Sequence, residues 1–131
     1  MSDPLAVVNP PELGAPRGFA HGLIAAAPGR TLFVAGQIGT DAEGQDFIGQ
    51  FDRALGRVLI VVTAAGGRAE QIGRMTVYVT SMERYRESRA ALRDVWRRHM
   101  GSHYPAMALV EVTALVEPTA SVEIEATAVL P

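Results

Sequence analysis

The chain has 131 residues and a net charge of −2 at pH 7, with 48% apolar and 20% charged residues. Those are the proportions of an ordinary globular protein, and residues 1–131 are expected to form a single domain. It contains no cysteine, which excludes disulfides, thiolate nucleophiles and cysteine-bound metals, and no lysine, which excludes a lysine Schiff base; its 12 basic residues are all arginine.

The opening "MSDPLAVVNPPELGAP" lacks the charged stretch and apolar run of a signal peptide. Residues 9–17, "NPPELGAPR", read as an irregular lead-in because of their prolines and glycine. "HGLIAAAPGRTLFVAGQIG" then holds two short apolar runs split by Pro28 and Gly29, the pattern of a β-hairpin. "TDAEGQ" is a loop. Residues 46–65 place Phe47, Phe51, Ala54, Leu55, Val58, Leu59 and Val62 at helical spacing, with Gly66-Gly67 as the terminator. This helix includes "VLIVVTAA", the longest apolar run, which is too short to span a bilayer. Membrane association is therefore not expected, and the cytoplasm is the expected location.

"IGRMTVYVTS" is the next strand, with Met75, Val77 and Val79 on one face and Arg74, Thr76 and Tyr78 on the other. From Met82 to Met100 the period is helical again, with Tyr85, Ser88, Leu92, Trp96 and His99 towards one side. Two strands follow, at 104–113 and 121–130. The order β-β-α-β-α-β-β predicts an α/β (α+β) domain with two helices on one face of a mixed sheet. The opposite face would carry Thr76 and Tyr78, with Glu111 and Glu123 or Glu125 from the late strands. Helices cannot cover it, and much of it is too apolar for water, so a homo-oligomer is expected.

Five segments, in order and in spacing, identify a family. "VAGQIG" (34–39), "VVTAAGG" (61–67), "MTVYVTSMERY" (75–85), "YPAMALVEV" (104–112) and "VEIEATAV" (122–129) together resemble the RidA/YjgF enamine/imine deaminases, also called the L-PSP endoribonuclease family. The resemblance covers nearly the whole chain from about residue 18. It implies a chorismate-mutase-like fold, a homotrimeric barrel, and a small-molecule cleft at each subunit interface, with no metal or other cofactor.

The resemblance also assigns residues. Glu123 matches the glutamate that holds or activates the attacking water. Phe19, Gly36, Arg89, Met107, Ala108 and Leu109 fall at substrate-binding positions, Gly36 as a glycine whose backbone lines the pocket. Typical catalytic members carry arginine where this chain has Met107, and that guanidinium forks onto the substrate carboxylate. Phe19 stands where tyrosine is common, and Leu109 where a small polar residue or cysteine is common. The cleft is thus expected to keep its shape and lose polar groups, and the chain to be a poor deaminase of ordinary 2-imino acids.

Each assignment has a plainer reading beside it. Met107 can be strand filler, Glu123 and Glu125 solvated strand carboxylates. Arg89 either supplies the missing cation or belongs to a solvated edge with Arg86, Arg93 and Arg97, beside Glu83, Glu87 and Asp94. His21, His99 and His103 lack metal-site spacing and read as structural. Three functions follow: hydrolysis of an enamine, imine or related reactive metabolite by water held at Glu123; a non-catalytic metabolite-binding or chaperone-like trimer; and, with least support, a ribonuclease. The mildly acidic chain argues against nucleic acid as a partner.

Overall fold

The computed structural model describes residues 5–25, 29–40 and 46–131. Pro28 of the expected hairpin and nearly all of the "TDAEGQ" loop lie outside the described residues. The strands are β1 (Leu5–Val8), β2 (Gly22–Ala25), β3 (Arg30–Ile38), β4 (Ile72–Val79), β5 (Ala106–Glu111) and β6 (Val122–Leu130). The α-helices are α1 (Phe47–Ala64), α2 (Met82–Glu87) and α3 (Arg89–Met100). The main sheet runs β3-β6-β4-β5, antiparallel except for the parallel pair β4 and β5. None of the helices among the described residues is long and apolar enough to cross a membrane.

The period-two pattern is realised in β4 and β6, whose alternate side chains are buried. Met75, Val77, Val79, Val122 and Ile124 meet Phe51, Leu55, Val58 and Val62 of α1 and Leu92, Val95 and Trp96 of α3 in one core. Both helices therefore cover the same sheet face. Asp46 caps α1 by accepting a hydrogen bond from the Gly49 amide (2.8 Å). Gly66 ends it with φ of +85°, a conformation that favours glycine.

Three expectations need correction. The two runs flanking Pro28 and Gly29 do not pair with each other. β2 is antiparallel to β1, in register from Leu5–Ala25 to Val8–Gly22, while β3 pairs with β6. The helix over 82–100 is interrupted at Ser88, where ψ is near 3° and the amide bonds both Arg84 and Tyr85 carbonyls. Finally, Glu111 is not on the outer face with Thr76 and Tyr78. It stands opposite Val79, and its carboxylate accepts the Met82 amide at the start of α2 (2.8 Å).

Candidate functional site

The alternation of β5 divides the candidate residues between the two sides of the sheet. Met107 and Leu109 are opposite Met75 and Val77 and pack beneath the helices. Ala108 is opposite Thr76, facing outward. Glu123 and Glu125 are outward as well, opposite Tyr78 and Thr76 across the β4–β6 ladder. In one chain, then, Glu123 and Met107 point away from each other.

On the helix side lies a cavity of about 520 Å³. Its floor is Met107 and Leu109 with Phe51 and Leu92; Tyr85, Trp96 and Tyr104 add aromatic walls. Arg17, Arg89 and Arg93 also line it. The spacing explains why α2 and α3 supply so much of it. Positions 89, 92, 93 and 96 fall on one stripe of α3, and Tyr85 joins them from α2 across the break at Ser88. Trp96 is fixed from behind: its indole N–H donates to the His103 carbonyl (3.1 Å), and its ring stacks on Tyr104 at 5.6 Å with planes 7° apart. Arg89 stands over the Tyr85 ring, its guanidinium carbon 5.8 Å from the centroid. Arg86 and Arg97 do not line the cavity, so the basic edge expected on this helix is split between two settings.

On the outer side, β3 carries a bulge. Val34 is opposite Ala126 and Gln37 opposite Ile124, so one extra residue is accommodated around Ala35 and Gly36. A Cβ built on Gly36 would fall 2.7 Å from the Glu123 Oε1 and 2.8 Å from its Cδ. The glycine therefore makes room for the Glu123 side chain itself, where the sequence suggested room for a ligand. The base of β6 is held by Gln50 of α1, a buried residue. Its amide donates to the Thr119 carbonyl (3.2 Å) and its oxygen accepts the Ser121 amide (2.8 Å), two residues before Glu123.

Glu125 has a different environment. The Tyr78 phenol lies near it and is raised above its ordinary value. Desolvation is the largest cause, followed by the Glu125 charge and hydrogen bond, with the Glu123 charge adding and a hydrogen bond with Thr76 opposing. Tyr78 thus stays a neutral phenol, with both outward carboxylates of β6 near it. Phe19 joins neither group: its ring meets the edge of His21 at 5.1 Å, and its neighbours Arg17 and Gly18 line the cavity in its place.

All three histidines are occupied away from the cavity. His21 bonds the Gly14 carbonyl (3.0 Å), His103 the Ile72 carbonyl (2.8 Å), and His99 the Asp52 carboxylate (2.6 Å). Asp52 also accepts from Arg98 (3.2 Å), which joins α1 to α3. Its carboxyl is lowered, chiefly by the His99 hydrogen bond, with Arg98 helping and desolvation opposing. Among the described residues no three acidic or histidine side chains gather as a metal site.

The family model for Endoribonuclease L-PSP matches residues 13–130. The chain belongs to the RidA/YjgF family. A 2-iminobutanoate/2-iminopropanoate deaminase of Capra hircus is 31% identical over 105 residues, 76% of this chain and 73% of that protein. The crystal structure of YyfB from Yersinia pestis, a Rid-family protein of unknown function, superposes with a TM-score of 0.83 at 30% identity, covering 97% of this chain and 99% of that one. Escherichia coli TdcF with bound serine superposes at 0.68 and 26% identity, covering 90% and 92%. The chorismate-mutase-like fold expected of the RidA/YjgF family is thereby the fold of this chain.

The residues that sequence reasoning missed are Arg17, Arg93, Tyr85, Trp96 and Tyr104. Helical spacing read from the sequence puts Arg93 and Trp96 on the stripe of Arg89 and Tyr85 one turn before it, so that signal was present despite the break at Ser88. Arg17 had none: it reaches the cavity because Ala20 bridges to Ala106 at the start of β5.

Proposed function

We propose that this protein hydrolyses an enamine, an imine or a related reactive small molecule, in a cleft completed by a second copy of the chain. One copy contributes the cavity above Met107, and its neighbour contributes Glu123. The observation that carries this reading is the pairing of Gly36 with Glu123. A carboxylate that fills its own slot on an outward sheet face supports a role towards a neighbouring chain.

That outer face supports assembly. Phe33 on β3 is 79% exposed and Val110 on β5 is 40% exposed. Ala108 and Thr76, paired across β4 and β5, lie on the sheet face that the helices do not cover. β5 is an edge strand, so the cavity on its helix side opens at the margin of the sheet, where a neighbour can reach. A closed homotrimer is the assembly proposed, in line with the family.

The chemistry is balanced by water alone. Glu123 accepts a proton from a water as its oxygen bonds to the imine carbon, giving a carbinolamine. Glu123 returns that proton to the nitrogen. It then passes the hydroxyl proton to the amine as the C–N bond breaks and C=O forms, so that ammonia and a ketone leave with the carboxylate regenerated. An enamine enters the same path after protonation at carbon. Met107 supplies no cation at the usual position, so short 2-imino acids are poor substrates. The same methionine favours a second reading, a trimer that binds metabolites without turnover.

The test is complementation. Glu123→Gln and Met107→Glu, the latter placing a repelling carboxylate in the cavity, are each expected to abolish imine hydrolysis. Co-expressed and mixed within one oligomer, they should restore part of it, because some interfaces then pair an intact cavity with an intact Glu123. Full activity of Glu123→Gln alone would sink the catalytic reading. A stable monomer in light scattering at micromolar concentration would sink the shared cleft.

A further inference from the structure

The cavity above Met107 is amphipathic in a way that specifies its occupant. Its floor keeps apolar groups that are only partly covered: Met107 and Leu109 lie at the margin of the core, and Tyr104 is 41% exposed. Around them stand Arg17, Arg89 and Arg93. Among the described residues, none of the three meets a carboxylate, although Glu83, Glu87 and Asp94 lie on the same helical segments. Arg89 and Arg93 are one turn apart on one face, a like-charge pairing that an isolated helix disfavours. Among the described residues Arg86 and Arg97 are also without a carboxylate partner, but they lie outside the cavity. Arg17, Arg89 and Arg93 are exposed, but they converge on one concave, partly apolar surface, where their positive potentials add and attract an anion.

Size narrows the choice. About 520 Å³ falls within the range of small-molecule sites, roughly 300–1,000 Å³. A three- or four-carbon acid would leave most of the apolar floor wet. A ligand that both covers the floor and meets the arginines has an extended, flat apolar body and one anionic end.

We propose that the cavity takes an aryl-substituted carboxylate, its ring against Tyr104 and the Met107 thioether and its carboxylate on Arg89, with Arg93 behind it. Thioether–aromatic contact makes Met107 a positive feature for such a ligand. The cation that the family places on β5 is then supplied from α3. This deepens the proposed function by naming the substrate class, the imine of an aromatic 2-amino acid, and it rests on that reading only for the reaction.

The chain's sole tryptophan, Trp96, lies in the cavity wall and reports occupancy. The full-length protein is titrated with 3-phenylpropanoate, propanoate and the neutral 3-phenylpropanamide while tryptophan fluorescence is followed. The aryl acid is expected to half-saturate the signal at a concentration at least tenfold below either comparator. Arg89→Gln should raise that concentration about tenfold and Arg93→Gln by less. Arg86→Gln, outside the cavity, should leave it unchanged, and melting curves confirm that all three fold. Equal response to acid and amide, or unchanged titrations in both cavity variants, would overturn the proposal. Binding needs no turnover, so the two readings fail separately. Tight aryl-acid binding without imine hydrolysis refutes the reaction alone; hydrolysis of short imines without aryl-acid binding refutes the substrate class alone.

Discussion

Substituting Gly36 by alanine tests whether the slot on β3 exists to place Glu123. The new methyl would lie 2.7 Å from Oε1, 2.8 Å from Cδ and 3.0 Å from Cγ, all atoms of one flexible side chain. Backbone is not obstructed, and φ at Gly36 is not in the left-handed region. The carboxylate therefore rotates away while the strand stays. Moving Glu123 off its rotamer costs about 0.5–1.5 kcal/mol, and replacing glycine stabilises by about 0.4–1 kcal/mol through the unfolded chain. The net is within about 1 kcal/mol, a shift in melting temperature of roughly 5 °C or less. Catalysis should suffer far more, since a positioned base contributes about 10²–10⁴-fold. A coupled assay, with an amino-acid oxidase forming the imine in situ and semicarbazide competing for it, should show Gly36→Ala slowed about a hundredfold. Combining it with Glu123→Gln should add almost nothing, because both changes remove the same group. A Gly36→Ala protein that keeps its rate would show that Glu123 acts from another position or not at all. One that melts more than about 10 °C lower would show that the glycine serves the backbone instead.

Gln50→Leu deprives the Thr119 carbonyl and the Ser121 amide of their partner, at about 1–3 kcal/mol for each group left unsatisfied; chemical denaturation should show that loss, and hydrolysis should fall with it because β6 starts there. Met107→Arg should raise kcat/KM for 2-iminopropanoate roughly tenfold, about 1.4 kcal/mol of transition-state stabilisation, and an unchanged value would mean that position 107 does not meet the substrate. Asp52 is lowered in the folded state from its ordinary 3.8, so its stabilisation is complete above that value and lost as pH falls through the folded value. Acid melting curves of Asp52→Asn should therefore converge on wild type below about pH 3.8, after differing at neutral pH by about 0.5–1 kcal/mol for this partly exposed cluster.

Periodicity revealed α1, β4 and β6 to within a residue or two, because each buries one face and leaves the other free. It failed for β2, whose partner is a four-residue strand, too short to show a pattern, on the far side of the proline-rich lead-in. Glu111 was misplaced for another reason. Alternation tells which residues of one strand share a face, but not how that strand is set against its neighbour, and Glu111 pairs with the inward Val79. The candidate site was legible as a set of positions and illegible as an arrangement. Met107 and Ala108 are adjacent in sequence, yet the pleat sends them to opposite sides.

That opposition has a kinetic consequence. No rotation of side chains within one chain brings Glu123 to the cavity, because a hydrogen-bonded sheet stands between them. Chemistry that needs both is then zero in an isolated subunit, and its rate rises with more than the first power of protein concentration wherever subunits exchange with their assembly. On serial dilution, specific activity should fall along the same curve as the oligomer fraction. Under the proposed shared cleft, a newly made chain is expected to be inert until it meets others of its kind.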